Sequence, residues 1–253
     1  MKLHFFGSCS GTEPKPCRHH CSFALEVEEG YYIFDAGENC SYTAHLMGVD
    51  LLRIKGVFIS HSHMDHIGGL GNLFWNVRKM CWVTGHDSGD IDLYLPEVAV
   101  WEHLNAVLLH TEGDFKKSWE IIPHKITDGV LCDGEIRVTA LHNHHLGETP
   151  DGWRAFGFLI EVDGKRIVYT GDTGGYTDYA PLLPCDVLIT ETGHHRAREV
   201  ARTLTENDAK VGTLIFTHHG LAMLADKEGE LALARAEYSG DVIAVDDGQT
   251  IEL

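Results

Sequence analysis

The sequence predicts an α/β fold, and three observations carry that expectation. Four short, nearly all-apolar runs end abruptly in an aspartate or a histidine: Tyr32-Ile33-Phe34 before Asp35, Val57-Phe58-Ile59-Ser60 before His61, Val168-Tyr169-Thr170-Gly171 before Asp172, and Leu214-Ile215-Phe216-Thr217 before His218. Runs of that length and composition belong to strands buried on both faces, as in a sheet covered by helices. Between them lie stretches with apolar residues at helical spacing, as in Leu70, Leu73, Phe74 and Val77. The two halves also echo each other, residues 32–37 resembling 168–173 and residues 57–61 resembling 214–218.

In chain order, residues 2–7, 21–27, 31–34 and 57–60 are expected as strands separated by turns. Residues 68–79 are expected as a helix and 90–110 as a helix plus loop. The second half supplies strands at 119–126, 136–141, 156–162, 166–170, 187–190, 214–217 and 242–245, with helices near 196–207 and 226–238. The aromatic clusters Phe74-Trp75 and Met80-Cys81-Trp82 read as core rather than as a substrate platform.

The length of 253 residues is enough to bury a sizeable core, and the lack of a linker or low-complexity segment predicts a single domain over 1–253. No stretch of about 18 or more apolar residues exists, so no membrane span is expected. The opening residues have too short an apolar run for an export signal. Cys9 after Phe6-Gly7-Ser8 has only a faint likeness to a lipoprotein cleavage site, since the apolar region is missing. Seven cysteines, an odd number without an export signal, favour reduced thiols in a cytoplasm. Cys9, Cys17, His19, His20 and Cys21 invite a structural zinc reading, but no second pair completes a four-ligand set, so an ordinary loop is expected. Twenty basic residues against 38 acidic ones give a net charge of -18, a field that repels nucleic-acid backbones at long range.

The chemistry concentrates in Ser60-His61-Ser62-His63-Met64-Asp65-His66-Ile67-Gly68-Gly69, three imidazoles and a carboxylate within six residues. Imidazole and carboxylate are good ligands for zinc and similar divalent ions. His61 and His63 alternate, so an extended segment points both the same way. Asp65 and His66 stand at the entry to the next helix and aim elsewhere, so one loop can offer two ligands to one metal and two to another. The competing reading is a set of surface histidines; the dense spacing between a buried strand and a helix weighs against it.

This run resembles the signature of the metallo-β-lactamase superfamily. The resemblance covers nearly the whole chain: Phe6-Gly7-Ser8, Phe34-Asp35-Ala36-Gly37-Glu38, the histidine run, Tyr169-Thr170-Gly171-Asp172-Thr173 and Phe216-Thr217-His218 stand in family order. Asp35-Ala36-Gly37-Glu38 and Val245-Asp246-Asp247-Gly248 look most like ribonuclease Z and its phosphodiesterase relatives. The resemblance implies a four-layer αββα sandwich with metals at one edge of paired sheets. It also implies that His61, His63 and a third histidine hold one metal, that Asp65, His66 and His218 hold the other, and that Asp172 bridges both. Asp35 would orient a ligand histidine. His142, His144 and His145 all compete for the third place; relatives put the ligand where His145 stands, with His144 next. The segment 146–155 is longer than in close relatives, which leaves that register open. Glu191 and His194 resemble a glutamate–histidine pair that supports the leaving group, at much shorter spacing than in ribonuclease Z.

Two metals about 3.5–4 Å apart can share a hydroxide and clamp an in-line displacement, which suits phosphodiester hydrolysis. The expected activity is therefore a dinuclear metal-dependent phosphodiesterase with Asp65 as ligand and base and His194 and Glu191 assisting. The metals are expected to be zinc, with manganese, iron or nickel also suited to these donors. Alternatives on the same scaffold are hydrolysis of a lactone, thioester or amide, a di-iron oxidoreductase, or a non-catalytic metal-bound sensor. The di-iron relatives carry a glutamate where His63 stands. A small, nucleotide-like diester is the expected substrate and transfer RNA is not expected. Between the histidine run and His145 there is no basic arm, and Asp87, Asp90, Asp92, Glu97, Glu102, Glu112, Asp114, Glu120, Asp128, Asp133 and Glu135 outnumber the cations. No membrane partner is expected, and a homodimer is left open.

Overall fold

The apolar runs become the strands of two mixed sheets, which the computed structural model describes over residues 1–111 and 115–253. The chain groups into two compact units, one of Met1–Ser8, Pro14–Ile126 and Asp246–Leu253, the other of Cys9–Glu13 and Thr127–Val245.

In the first unit, strands β1 (Lys2–Gly7), β2 (Ser22–Glu26), β3 (Tyr31–Phe34), β4 (Ile54–Phe58), β5 (Ile91–Leu95) and β6 (Ile121–Lys125) lie in that order, with the C-terminal strand Gln249–Glu252 outside β1. The pairs from Gln249–Glu252 to β3 are antiparallel and those from β3 to β6 parallel. Side chains alternate across the sheet. One face presents Phe6, Ala24, Ile33, Val57 and Leu93 to helices α1 (Cys40–Leu46), α3 (Leu70–Thr84) and α4 (Val98–Leu109). The other carries an in-register ladder, Phe5, Phe23, Phe34, Phe58, Tyr94 and His124, with successive ring centroids 4.6–5.4 Å apart. Burying each such ring contributes about 1.5–3 kcal/mol, and each ring pair about 0.5–1.5 kcal/mol more. A one-turn helix, α2 (Met64–Ile67), sits between β4 and α3.

In the second unit the sheet order is β15 (Asp241–Ala244), β14 (Val211–His219), β13 (Cys185–Thr192), β12 (Lys165–Tyr169), β11 (Phe156–Val162), β8 (Arg137–His142) and β7 (Gly129–Asp133). Strands β12 to β15 are parallel, and β7, β8, β11 and β12 antiparallel. Helices α6 (Ala197–Glu206) and α8 (Lys227–Glu237) cover Val168, Leu188, Leu214, Phe216 and Val242 with Ala197, Ala201, Leu204, Leu231 and Ala234. Short helices α5 (Tyr176–Tyr179) and α7 (Leu221–Ala225) and a two-strand ribbon, β9 (Glu148–Thr149) with β10 (Gly152–Trp153), complete it.

Several elements differ from expectation. Residues 90–110 begin with a strand, because Ile91, Leu93 and Leu95 alternate into the core while Asp92 interrupts the apolar run. Helix α3 runs past residue 79 to Thr84, where Gly85 closes it in the left-handed conformation with its N–H on the Cys81 carbonyl. Phe74 is core, but Trp82 on that last turn is 81% exposed. Strands β7 and Gln249–Glu252 are half-exposed edge strands, which carry too weak an apolar signal to read in advance. Among the described residues no helix is long and apolar enough to cross a membrane.

Candidate metal centre

Each unit brings a cluster of imidazoles and carboxylates to the ends of its strands. In the first, β4 ends at Phe58 and the backbone passes through Ser60 to His61 and His63 before α2 lifts Asp65 and His66. The His61 ring lies 4.6 Å from that of His63 and 4.0 Å from that of His66, and Asp65 Oδ2 is 3.4 Å from His66 Nε2. His61 and His66 are fully buried, whereas His63 is exposed.

Asp35 organises this cluster. It sits at φ 56° after β3, fully buried. Its Oδ1 accepts the Ser60 N–H at 2.7 Å, and its Oδ2 accepts the Ser60 hydroxyl at 2.8 Å and meets His66 Nδ1 at 2.8 Å. With Nδ1 protonated toward Asp35, the His66 lone pair is on Nε2, the nitrogen beside Asp65. The Ala36 N–H donates to the His66 carbonyl at 2.7 Å and the Gly69 N–H to the Ala36 carbonyl at 2.8 Å, so the Asp35 loop and the histidine run are laced together. Only glycine permits this at position 69, where a Cβ would stand 2.1 Å from the Gly37 carbonyl oxygen.

The neighbouring residues 17–21 serve structure. Glu38 accepts the His20 N–H at 2.9 Å and meets His20 Nδ1 at 2.5 Å, while Asp247 accepts from Ser8 and from the His19 backbone. Burial pushes the Asp247 carboxyl up, against those hydrogen bonds. Among the described residues, no cysteine joins a metal-ligand group.

In the second unit, Asp172 follows β12, Glu191 is near the end of β13, and His218 is near the end of β14. Asp172, Glu191, His194 and His218 each offer a ligand atom within 4.8 Å of the others. The register of β13 on β14 slips so that Glu191 faces Thr217 and Thr192 faces His219, leaving His218 as the extra residue of a bulge with φ 46°. The bulge aims His218 Nε2 at Asp172 Oδ1, 3.2 Å away. Gly193 makes room, since a Cβ there would lie 2.6 Å from His218 Nδ1.

The three competing histidines separate cleanly. His142 Nδ1 pairs with Asp128 at 2.7 Å and its ring stacks on Trp153 of the ribbon, so the extra residues of 146–155 hold it aside. His144 Nδ1 pairs with Asp178 at 2.6 Å. His145 Nε2 faces Asp172 Oδ2 at 3.7 Å. Asn143, which the sequence reading passed over, pins the loop: its amide donates to the Thr170 and Asp172 carbonyls and its oxygen accepts the His145 N–H. An amide flanked by histidines at a strand end was the available signal.

Glu191 and His194 form a hydrogen-bonded pair despite their short spacing, with Nδ1 2.8 and 3.0 Å from the two carboxylate oxygens. Burial pushes the Glu191 carboxyl up, but the hydrogen bonds with His194 and His218 outweigh it and bring it down to about 2. The same bond holds the half-exposed His194 above the ordinary imidazole range, against its partial burial.

The model of the beta-lactamase superfamily domain matches residues 32–237. The chain belongs to the metallo-β-lactamase superfamily. Ribonuclease Z of Mycobacterium bovis is 24% identical over 280 residues, covering 95% of this chain and 94% of the relative. The metallo-beta-lactamase fold protein YhfI from Bacillus subtilis superposes with a TM-score of 0.77 at 20% identity, covering 100% of this chain and 99% of its own. The short form of human tRNase Z gives 0.75 at 20% identity, with the same coverage. The metallo-β-lactamase fold and a metal-dependent hydrolase of the ribonuclease Z and phosphodiesterase branch therefore stand, and the His/Asp clusters can bind divalent metal.

The expected partner does not stand. A small diester as substrate, with transfer RNA excluded, conflicts with relatives named ribonuclease Z that match along 95% of the chain. The acidic count weighed the segment as a whole, whereas its cations gather locally: Arg78, Lys79, Lys116 and Lys117 line one depression, and Arg137 pairs with Asp133. Glu112 and Asp114 lie outside the described residues.

Proposed function

We propose that this superfamily member is a dinuclear metal-dependent phosphodiesterase of RNA, with a transfer RNA precursor as the first substrate to test. In this reading residues 1–253 act as one cytoplasmic hydrolase domain. His61, His63 and His145 would hold one ion, Asp65, His66 and His218 the other, and Asp172 would serve both. The observation that carries it is the Asp172 carboxylate: one oxygen faces His218 and the other His145, the layout a carboxylate needs to serve two ions at once. The donor set fits divalent metal, since it is all nitrogen and oxygen, mostly buried, and includes a histidine whose outward nitrogen is set by Asp35; zinc suits it best. The names ribonuclease Z and tRNase Z support RNA as the substrate class.

Bound divalent ions would polarise the phosphoryl oxygens and acidify water. The protein's own groups do the rest. Asp65 accepts a proton from the attacking water. Glu191 keeps His194 protonated, so that its imidazolium can donate a proton to the departing oxygen. The test is elemental analysis after reconstitution, expected to give about two equivalents, followed by cleavage of precursor transfer RNA at low salt. Fully loaded protein that leaves RNA intact would overturn the substrate reading.

A further inference from the structure

The C-terminal end of α3 and residues 116–119 border a depression of about 760 Å³ within the first unit, lined by Arg78, Lys79, Trp82, Lys116, Lys117 and Trp119 among others. A chain of net charge -18 gathers four of its 20 cations here. Among the described residues Asp87 is the one acid in the lining, where it holds the Ser118 hydroxyl, and Lys117 reaches Glu120 at 3.1 Å. The cations are interleaved with indoles: Lys79 Nζ lies 4.9 Å from the Trp75 ring and 5.9 Å from that of Trp82, and Lys117 Nζ 5.4 Å from that of Trp119. Arg78 Nε donates to the Lys116 carbonyl at 2.8 Å, tying the helix to the facing segment. Trp82 is 81% exposed, with Val83 beside it at 69%. Exposing an indole forgoes the stabilisation its burial would bring, and cations around an open aromatic face are what single-stranded nucleic acid requires: charge for phosphate and a flat surface for a base.

We infer that this depression is a docking site for single-stranded RNA, with Arg78, Lys79, Lys116 and Lys117 meeting phosphates and Trp82 stacking a base. The inference deepens the RNA reading and rests on it. Helix α3 starts four residues beyond His66 and has 15 residues, so it spans about 22 Å from the histidines to the depression. At about 3.4 Å per stacked step, that is about six nucleotides. The depression would therefore hold the strand at a distance from the bond being cut.

The test uses the metal-loaded full chain and a single-stranded 2′-O-methyl RNA of about twelve nucleotides, which binds without being cut. Trp82→Ala should weaken binding about tenfold, with Trp82→Phe recovering part of the loss. Lys79→Ala and Lys116→Ala should each lower the salt slope of log affinity by about 0.7. Hydrolysis of bis(p-nitrophenyl) phosphate, a probe of the metal chemistry alone, should stay unchanged in all of these variants. Wild-type affinity and slope throughout would overturn the inference even if RNA is cleaved, and a shift in the sedimentation of RNA-free protein instead would assign the face to self-association. Binding that follows these variants while RNA goes uncut would leave this site standing and remove the proposed catalytic reading.

Discussion

Replacing Asp35 by Asn isolates the orientation of a proposed metal ligand, His66, from the stability of the fold. The wild-type carboxylate accepts three hydrogen bonds, from the Ser60 N–H, the Ser60 hydroxyl and His66 Nδ1. An asparagine must divide its oxygen and its NH2 group between these partners. The backbone N–H of Ser60 can only donate, so the oxygen stays at the Oδ1 position. The NH2 group then faces the Ser60 hydroxyl, which can rotate, and His66 Nδ1, which can accept only as the other tautomer. That tautomer puts the proton on Nε2, the nitrogen proposed to bind metal. Losing an orienting partner of this kind costs metal affinity about 10- to 100-fold, or about 1.4–2.7 kcal/mol. The fold should suffer little, because asparagine tolerates φ 56° and every buried donor keeps an acceptor. The assay is zinc competition against a chromogenic chelator, with a thermal melt of the same samples. Asp35→Ala is the contrast: it strands two buried N–H donors at about 1–3 kcal/mol each and should lower the melting temperature by roughly 5–20 °C. Wild-type zinc affinity in Asp35→Asn would refute the tautomer argument.

Three further outcomes are expected. His145→Ala should release metal on dialysis while His144→Ala retains it, since only His145 faces Asp172; equal retention, read by elemental analysis, would reopen the third-ligand assignment. Phe58→Ala removes the middle of the aromatic ladder and should cost about 3–5 kcal/mol in a denaturant titration. Glu26 is drawn below the ordinary carboxylate range, first by its hydrogen bond with His4 and against its partial burial. A depressed folded pKa contributes stability that is full above the unfolded value of about 4.3 and fades as pH falls through the folded value, so Glu26→Gln and wild type should converge in acid. A constant gap between their melting temperatures from pH 7 to acid would refute this account.

Much of the fold was legible because both sheets are buried on two faces, which writes segments such as Tyr31–Phe34 and Leu214-Ile215-Phe216 as unbroken apolar runs. What escaped was written by other means. Strand β5 depends on alternation around Asp92, and β7 on its register with β8. At the site, the positions of Asp35, Asp172 and His218 followed from strands ending in polar residues. The preference for His145 over His142 and His144 came from the family resemblance instead, because the contacts with Asp128, Asp178 and Asn143 that hold the three apart are set in space rather than along the chain. The exposure of Trp82 was hidden for a similar reason: an indole in a helical turn looks the same on paper whichever way the turn faces.

Asp35 and His218 share a feature with a practical consequence. Both occupy left-handed backbone, a conformation that costs a side-chain-bearing residue of order 1 kcal/mol or more and that glycine adopts freely. At position 218 that strain accompanies the bulge that turns the imidazole toward Asp172. A library screened only for heat resistance would therefore be blind to asparagine at 218, which tolerates left-handed backbone and fills part of the buried imidazole's place but takes away the proposed ligand. Directed evolution of this scaffold needs selection for bound metal at every round, since a melting temperature does not register the loss of a proposed ligand at that position.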